Sequence, residues 1–284
     1  MIMEYALQLI NVTKEYKDFK LDNINIKLPQ GCIMGFVGEN GAGKSTTIKL
    51  IMDLINRDRG QITVLGQDNK IDFNSIKENI GVVMDESSFP DNLNAKEINK
   101  FMKRIYKTWD EDKFFKLLKQ FSIAEDKSIK DYSRGMKMKF SIAVSLSHDS
   151  KILIMDEATS GLDPIVREEI LDIFLEFIQD ESNSIFISSH IISDLEKICD
   201  YITFIHKGKI VFSEPKDELL EKYGILKCSE EELEKIDTSA VKGVRKNKFG
   251  VETLVFKNKV KGNYVIDKAN IEDIMLFHVK EQVL

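Results

Sequence analysis

Hydrophobic positions along the chain fall into three kinds of run, each predicting a different element. Stretches apolar at nearly every position predict strands buried on both faces: Ile33 to Val37, Ile80 to Met84, the Ile-Leu-Ile-Met segment within Lys151 to Glu157, and Ser184 to Ser188. Alternation through Ile24, Ile26 and Leu28 predicts a strand over 20 to 28, beside another over 3 to 10, with a turn at Pro29-Gln30-Gly31; Gln61 to Leu65 predicts one more after a turn at Arg57 to Gly60. Helical spacing runs through Ile48, Ile51, Met52 and Ile55. It returns from about Phe89 to Ser147, where Ile98, Phe101, Met102 and Ile105 form a stripe expected in the core and Phe114, Leu117 and Leu118 continue it. Asn94, with Glu97 three residues later, predicts a capped start there, and Pro164 opens a further helix to about Ile178. Tyr201 to Ser213 reads as a hairpin turning at Lys207-Gly208, and from Glu214 the pattern becomes short helix, acidic run, hairpin and final amphipathic helix.

Alternating strands and helices place the chain in the α/β class: a mainly parallel sheet, an N-terminal antiparallel β subdomain, a helical subdomain inserted at about 89–147, and a small α+β C-terminal extension. A boundary near 215 separates a domain of residues 1–215 from an accessory domain of 216–284 that carries no chemical constellation. With 284 residues and 43% hydrophobic content, one large domain plus an appendage fits better than several equal ones. The net charge of −6 argues against a nucleic-acid binder, and Lys242 to Lys248 reads as a solvated hairpin. Cys32, Cys199 and Cys228 lack disulfide-frame or zinc spacing, which suits a reducing compartment. No apolar run reaches the ~18 residues needed to span a bilayer, so the chain is expected to be soluble.

The chemistry concentrates after the buried strands. Gly38-Glu39-Asn40-Gly41-Ala42-Gly43-Lys44-Ser45, followed by Thr46, fits the phosphate-binding pattern G-x-x-x-x-G-K-[ST] between a strand and a helix. Its glycines let backbone N–H groups curl around phosphate oxygens, the helix start favours anions, Lys44 adds a cation, and the Ser45 hydroxyl suits Mg²⁺. Without that context the segment would be a Gly-rich turn. Asp156 and Glu157 end a core strand, where parallel sheets bind ligands; the alternative is a solvated strand end. His190 follows another core strand and is read the same way, against a structural histidine. Tyr16 is near enough in sequence to stack on a nucleobase, or to pack in the core.

Taken in order, the phosphate loop, Tyr132-Ser133-Arg134-Gly135-Met136, Asp156-Glu157, Ser160-Gly161-Leu162-Asp163 and His190 resemble the ATP-binding cassette (ABC) transporter ATPases over residues 1–215, and most of all the subunits of bacterial exporters whose membrane domain is a separate chain. The resemblance implies a P-loop NTPase core that hydrolyses ATP with Mg²⁺. Lys44 and the loop amides would hold phosphate, with Ser45 and Asp156 on the metal. Glu157 would polarise the attacking water, His190 would contact the γ-phosphate, Tyr16 would stack on adenine, and Ser133, Gly135 and Asp163 would serve a second cassette. Two departures add charge: Arg134 stands where a small residue is usual, and Asp85, or Glu86 after a one-residue shift, stands for the family's glutamine. One reading lets Asp85 bind Mg²⁺ or orient water while Arg134 of the opposite cassette offsets its charge; the other lets Arg134 face a neighbouring acid.

The implied protein is the ATPase subunit of an exporter. It would close as a dimer, most simply of two identical copies, on two ATP and drive a separately encoded transmembrane permease from the inner, cytoplasmic face of the membrane. Phe89 to Leu93 would contact the permease. A soluble ATP-gated clamp without transport is the competing class. Nucleic-acid-directed members are disfavoured, because about ninety residues separate Lys44 from Ser133, too few for a long coiled coil.

Overall fold

The alternating segments at the start of the chain pair with one another, because each has one apolar face to bury. In the computed structural model, which describes residues 4–71, 76–85, 89–248 and 250–279, β1 (Tyr5–Glu15) and β2 (Lys20–Pro29) run antiparallel. Along β2, Ile24, Ile26 and Leu28 are at most 1% exposed, while Asn25 and Lys27 face outward. The chain next forms β3 (Ile33–Val37) and α1 (Lys44–Ile51), then returns to the first sheet as β4 (Arg59–Val64) and β5 (Gln67–Asp68), giving the order β2-β1-β4-β5.

The fully apolar runs build the second sheet, since a strand without a polar face needs cover on both sides. β6 (Ile80–Val83) leads into the helical insertion α2 (Ala95–Ile105), α3 (Glu111–Gln120) and α4 (Arg134–Leu146). There follow β7 (Ile152–Asp156), α5 (Pro164–Phe177), β8 (Ser184–Ser189), α6 (Ile192–Ile198), β9 (Tyr201–His206) and β10 (Lys209–Pro215). The strand order is β10-β9-β3-β8-β7-β6, and the β9-β3, β3-β8, β8-β7 and β7-β6 pairs are parallel. Every residue of β3, β7 and β8 is buried. Phe36 and Phe186 meet at 5.3 Å across neighbouring strands, and each such side chain contributes about 1.5–3 kcal/mol by leaving water. Because β3, β8 and β7 are adjacent and parallel, their carboxyl ends open side by side.

The described residues divide into two compact units, 1–210 and 211–284. The second contains α7 (Lys216–Lys222), β11 (Tyr223–Cys228), α8 (Glu230–Leu233), β12 (Val241–Asn247), β13 (Gly250–Phe256), β14 (Ile266–Lys268) and α9 (Ile271–Val279). Its antiparallel sheet, β12-β13-β11-β14, has its own core around Leu226, Val244, Val251 and Val255. The lysine-rich stretch from Lys242 is strand β12 of a hairpin with β13, as its pattern predicts.

Three expectations need correction. The first helix ends at Ile51, so Met52 and Ile55 pack on the core from the loop beyond it. On α2 only part of the predicted stripe is buried: Ile98 and Met102 face inward, whereas Phe101 and Ile105 are 55% and 48% exposed. β1 continues to Glu15, five residues past its expected end, carried through register shifts near Val12.

Candidate nucleotide-binding site

The phosphate loop is pressed between strand ends, which explains its glycines. A Cβ at Gly38 would lie 2.5 Å from the Ile205 carbonyl oxygen, and Gly43, at φ 116°, would bring one within 2.6 Å of Leu21. The β9–β10 turn braces the loop from below: the Gly208 N–H donates to the Ala42 carbonyl at 3.0 Å, and the Asp22 N–H to the Gly208 carbonyl at 2.9 Å. Lys44 opens α1 and is 6% exposed. Its ammonium donates to the carbonyls of Gly38 (2.8 Å) and Glu39 (3.4 Å) and lies 3.5 Å from Glu157 Oε1. The Thr47 hydroxyl closes the first helical turn on the Gly43 carbonyl at 2.9 Å, leaving Ser45 exposed at the helix start, where anions are favoured.

The acids arrive from β7. Asp156 is 5% exposed and accepts a hydrogen bond of 2.5 Å from Ser188 Oγ, which itself accepts from the Glu157 N–H at 3.1 Å. Glu157 has a left-handed φ of 54°, a conformation costing a non-glycine residue about 1–3 kcal/mol. Its N–H bonds to β8 hold that bend and turn the carboxylate into the cleft. There His190 Nδ1–H donates to Glu157 Oε2 at 2.6 Å, so Glu157 is gripped by Lys44 on one oxygen and His190 on the other.

A cleft of about 780 Å³ collects Asn40, Gly41, Gly43, Lys44, Ser45, Thr46, Asp85, Glu157 and His190. Gly38 and Ala42 sit beneath the loop as buried residues. Tyr16 is not among the lining residues: it is 45% exposed, with the Lys14 ammonium 5.4 Å from its ring. Phe19 and Asp18 line the cleft, and so does Ser160. Asp163 caps α5, accepting from the Val166 N–H at 3.1 Å, and Ser133 caps α4, accepting from the Met136 N–H at 3.2 Å. Neither Ser133 nor Gly135 reaches the cleft of its own chain.

Of the two readings of Arg134, the structure shows the contact with a neighbouring acid. Its Nη2 donates to Asp85 Oδ1 of the same chain at 2.7 Å, so the acid it faces is a neighbour, as the competing reading held. Glu86 lies outside the described residues. Ser188, which orders both acids, was missed, although it stands on the strand end two residues before His190. Phe19 was missed because Tyr16 claimed the aromatic role.

The donor set suits Mg²⁺. Among the described residues no three His, Cys, Asp or Glu side chains form a metal cage, and Mg²⁺ typically takes one carboxylate or two, waters and substrate phosphates. Ser45, next to Lys44 on α1, and Asp156, at the end of β7 next to Glu157, supply hard oxygens of that kind.

A family model described as ABC transporter matches residues 21–160. The chain is 35% identical over 221 residues to the bacitracin transport ATP-binding protein BcrA of Bacillus licheniformis, an alignment covering 76% of this chain and 72% of the relative. It is 34% identical over 215 residues to the lantibiotic transport ATP-binding protein SrtF of Streptococcus pyogenes, covering 74% and 91%. Its fold is similar to a dimeric ATP-binding cassette in a post-hydrolysis state with ADP and phosphate bound, at a TM-score of 0.66 and 21% identity over 74% of this chain and 98% of that one. With the phosphate loop, Glu157 and His190 in one cleft and Asp156 buried beside them on β7, the chain belongs to the ATP-binding subunits of ABC transporters, and it is an ATPase.

Proposed function

We propose that two copies of this subunit close on Mg²⁺·ATP and drive export through a separate membrane subunit. One observation carries the reading: Lys44, Ser45, Glu157 and His190 converge in one cleft, with Asp156 buried at the end of β7 next to Glu157, while Ser133 and Gly135 of the same chain stay outside it. The donors of the second segment then have to come from another copy. Relatives named for bacitracin and lantibiotic transport, and a dimeric cassette of the same fold, support it.

Lys44 and the loop amides bind the phosphates, and Ser45 with Asp156 holds the metal, which when bound neutralises phosphate charge. Glu157 orients the attacking water and accepts its proton, with His190 fixing the carboxylate's direction. Triphosphate oxygens compete with Glu157 for the Lys44 ammonium, so binding frees the base as it seats the substrate.

The membrane subunit docks in a groove of about 690 Å³ where Leu54, Ile71 and Ile105 are exposed by 64%, 85% and 48%. Phe89 is less suited to that contact, since its ring packs edge-on against Phe140 at 5.1 Å. Among the described residues no helix is long and apolar enough to cross a membrane, and the subunit is held peripherally on the inner face by its partner. The 211–284 unit serves as an accessory domain. The test is ATP turnover of the purified chain with and without its membrane subunit in vesicles. Stimulation by the subunit, with loss of coupling in Ile105→Asp, is expected; turnover indifferent to it favours an ATP-gated clamp instead.

A further inference from the structure

Asp85 presents a carboxylate in the wall of a cleft that takes a triphosphate, and Glu157 already faces the ammonium of Lys44 there. A further negative charge at that wall opposes a polyanion. The guanidinium of Arg134 meets it at 2.7 Å, with both side chains half exposed. The same guanidinium lies across Gly161, where an added Cβ would fall 2.8 Å from Nη1 and where φ is +66°. A side chain at 161 would therefore push the guanidinium out of this position. Three segments meet in this way: the end of β6, the start of α4, and the loop between Ser160 and Asp163.

We propose that Arg134 is a positioning residue for nucleotide binding: held between Asp85 and Gly161 of its own chain, it cancels the Asp85 charge at the cleft wall and fixes where that carboxylate points. The pair has the net charge of the neutral glutamine expected at position 85, so the two departures compensate one another. The proposal rests on the cleft being the nucleotide site, and it differs from the dimer reading because it operates within one chain.

The experiment titrates full-length chain with a fluorescent ATP analogue, 2′/3′-O-(N-methylanthraniloyl)-ATP, and Mg²⁺ at low and high salt, with melting curves without nucleotide as the folding control. Arg134→Leu leaves Asp85 unopposed and should weaken binding roughly three- to tenfold at low salt, the effect shrinking at high salt. Asp85→Gln leaves Arg134 unopposed and should tighten it by a similar factor, an opposite sign that a purely structural role would not give. The double variant should return to within about twofold of the unmodified chain, and Arg134→Lys, which keeps the charge, should stay near it. A double variant that binds as weakly as Arg134→Leu, or weakened binding in Asp85→Gln, would overturn the proposal, and the latter decides it even where Arg134→Leu does not fold. An unmodified chain that binds no Mg²⁺·nucleotide would instead remove the site assignment on which the proposal stands.

Discussion

Glu157 is held in a left-handed backbone conformation by two hydrogen bonds to Ser188 while its carboxylate contacts Lys44 and His190. The strain sits where an aimed carboxylate is needed, and the amide of glutamine keeps the shape while losing the basicity. Glu157→Gln should therefore lower ATP turnover by about 100-fold or more while ATP still binds. Turnover close to the unmodified rate would assign the water-orienting role elsewhere. His148 shows a different residue-scale effect. Its ring is 5% exposed, stacked on Tyr106 at 3.9 Å with Nδ1 at 2.9 Å from the Glu78 carbonyl. Burial holds its pKa below the ordinary 6.5, outweighing the Glu78 hydrogen bond that favours the cation. The unfolded chain thus binds a proton that the folded chain refuses. The neutral ring's contribution is complete above pH 6.5 and is lost as pH falls from there through the lowered folded pKa. Melting temperature should drop between about pH 7 and 5, and the drop should be shallower in His148→Gln; an unchanged slope would exclude His148 as its source. His278, lowered by burial in the second unit, adds a slope of its own.

Helix starts separate stability from function, because two of them are capped by different residues for different ends. At α2, Asn94 and Glu97 form a reciprocal capping box with both bonds at 3.0 Å, remote from the cleft. At α4 the cap is Ser133, which the proposed dimer also needs. Asn94→Ala and Ser133→Ala should each cost about 1 kcal/mol in denaturant unfolding. Only Ser133→Ala should additionally weaken ATP-dependent dimerisation in sedimentation, and equal effects of the two would reduce Ser133 to a cap. The capping box at α2 was legible because both partners lie within one turn, and the inner strands because an unbroken apolar run has few other places to go. The phosphate loop, Asp156, Glu157 and His190 were legible for a related reason, standing directly after such strands. Phe101 and Ile105 were misread because spacing identifies neighbouring rows on a helix, not which row meets the core, and Ile98 and Met102 occupy the row beside them. Asp85 and Arg134 meet across 49 residues, a contact that local periodicity does not encode. Tyr16 and Phe19 show the same limit, since which aromatic of a loop lines a cleft depends on how the loop folds back.

At the scale of the molecule, the cleft holds cation, acids and histidine from one chain but nothing from that chain's Ser133 and Gly135. If a working site joins the phosphate loop of one copy to the Ser133 segment of another, two different defects should complement. A Lys44→Ala chain has a dead loop and an intact segment, and a Gly135→Asp chain the reverse. A Cβ at Gly135 would lie 3.4 Å from Val166, an ordinary contact, so the substitution is expected to act through its charge against the partner's phosphate. Each variant alone should be inactive. Mixed in equal amounts they form hybrid dimers in which one site takes both defects and the other takes none, so the mixture should recover roughly a quarter of the unmodified rate by random pairing. The recovery should also rise with total protein concentration, as the rate per chain of the unmodified protein should, because association precedes catalysis. A mixture as inactive as its parts, made from variants that still bind nucleotide or associate, would mean that each site is complete within one chain or is finished by a different subunit.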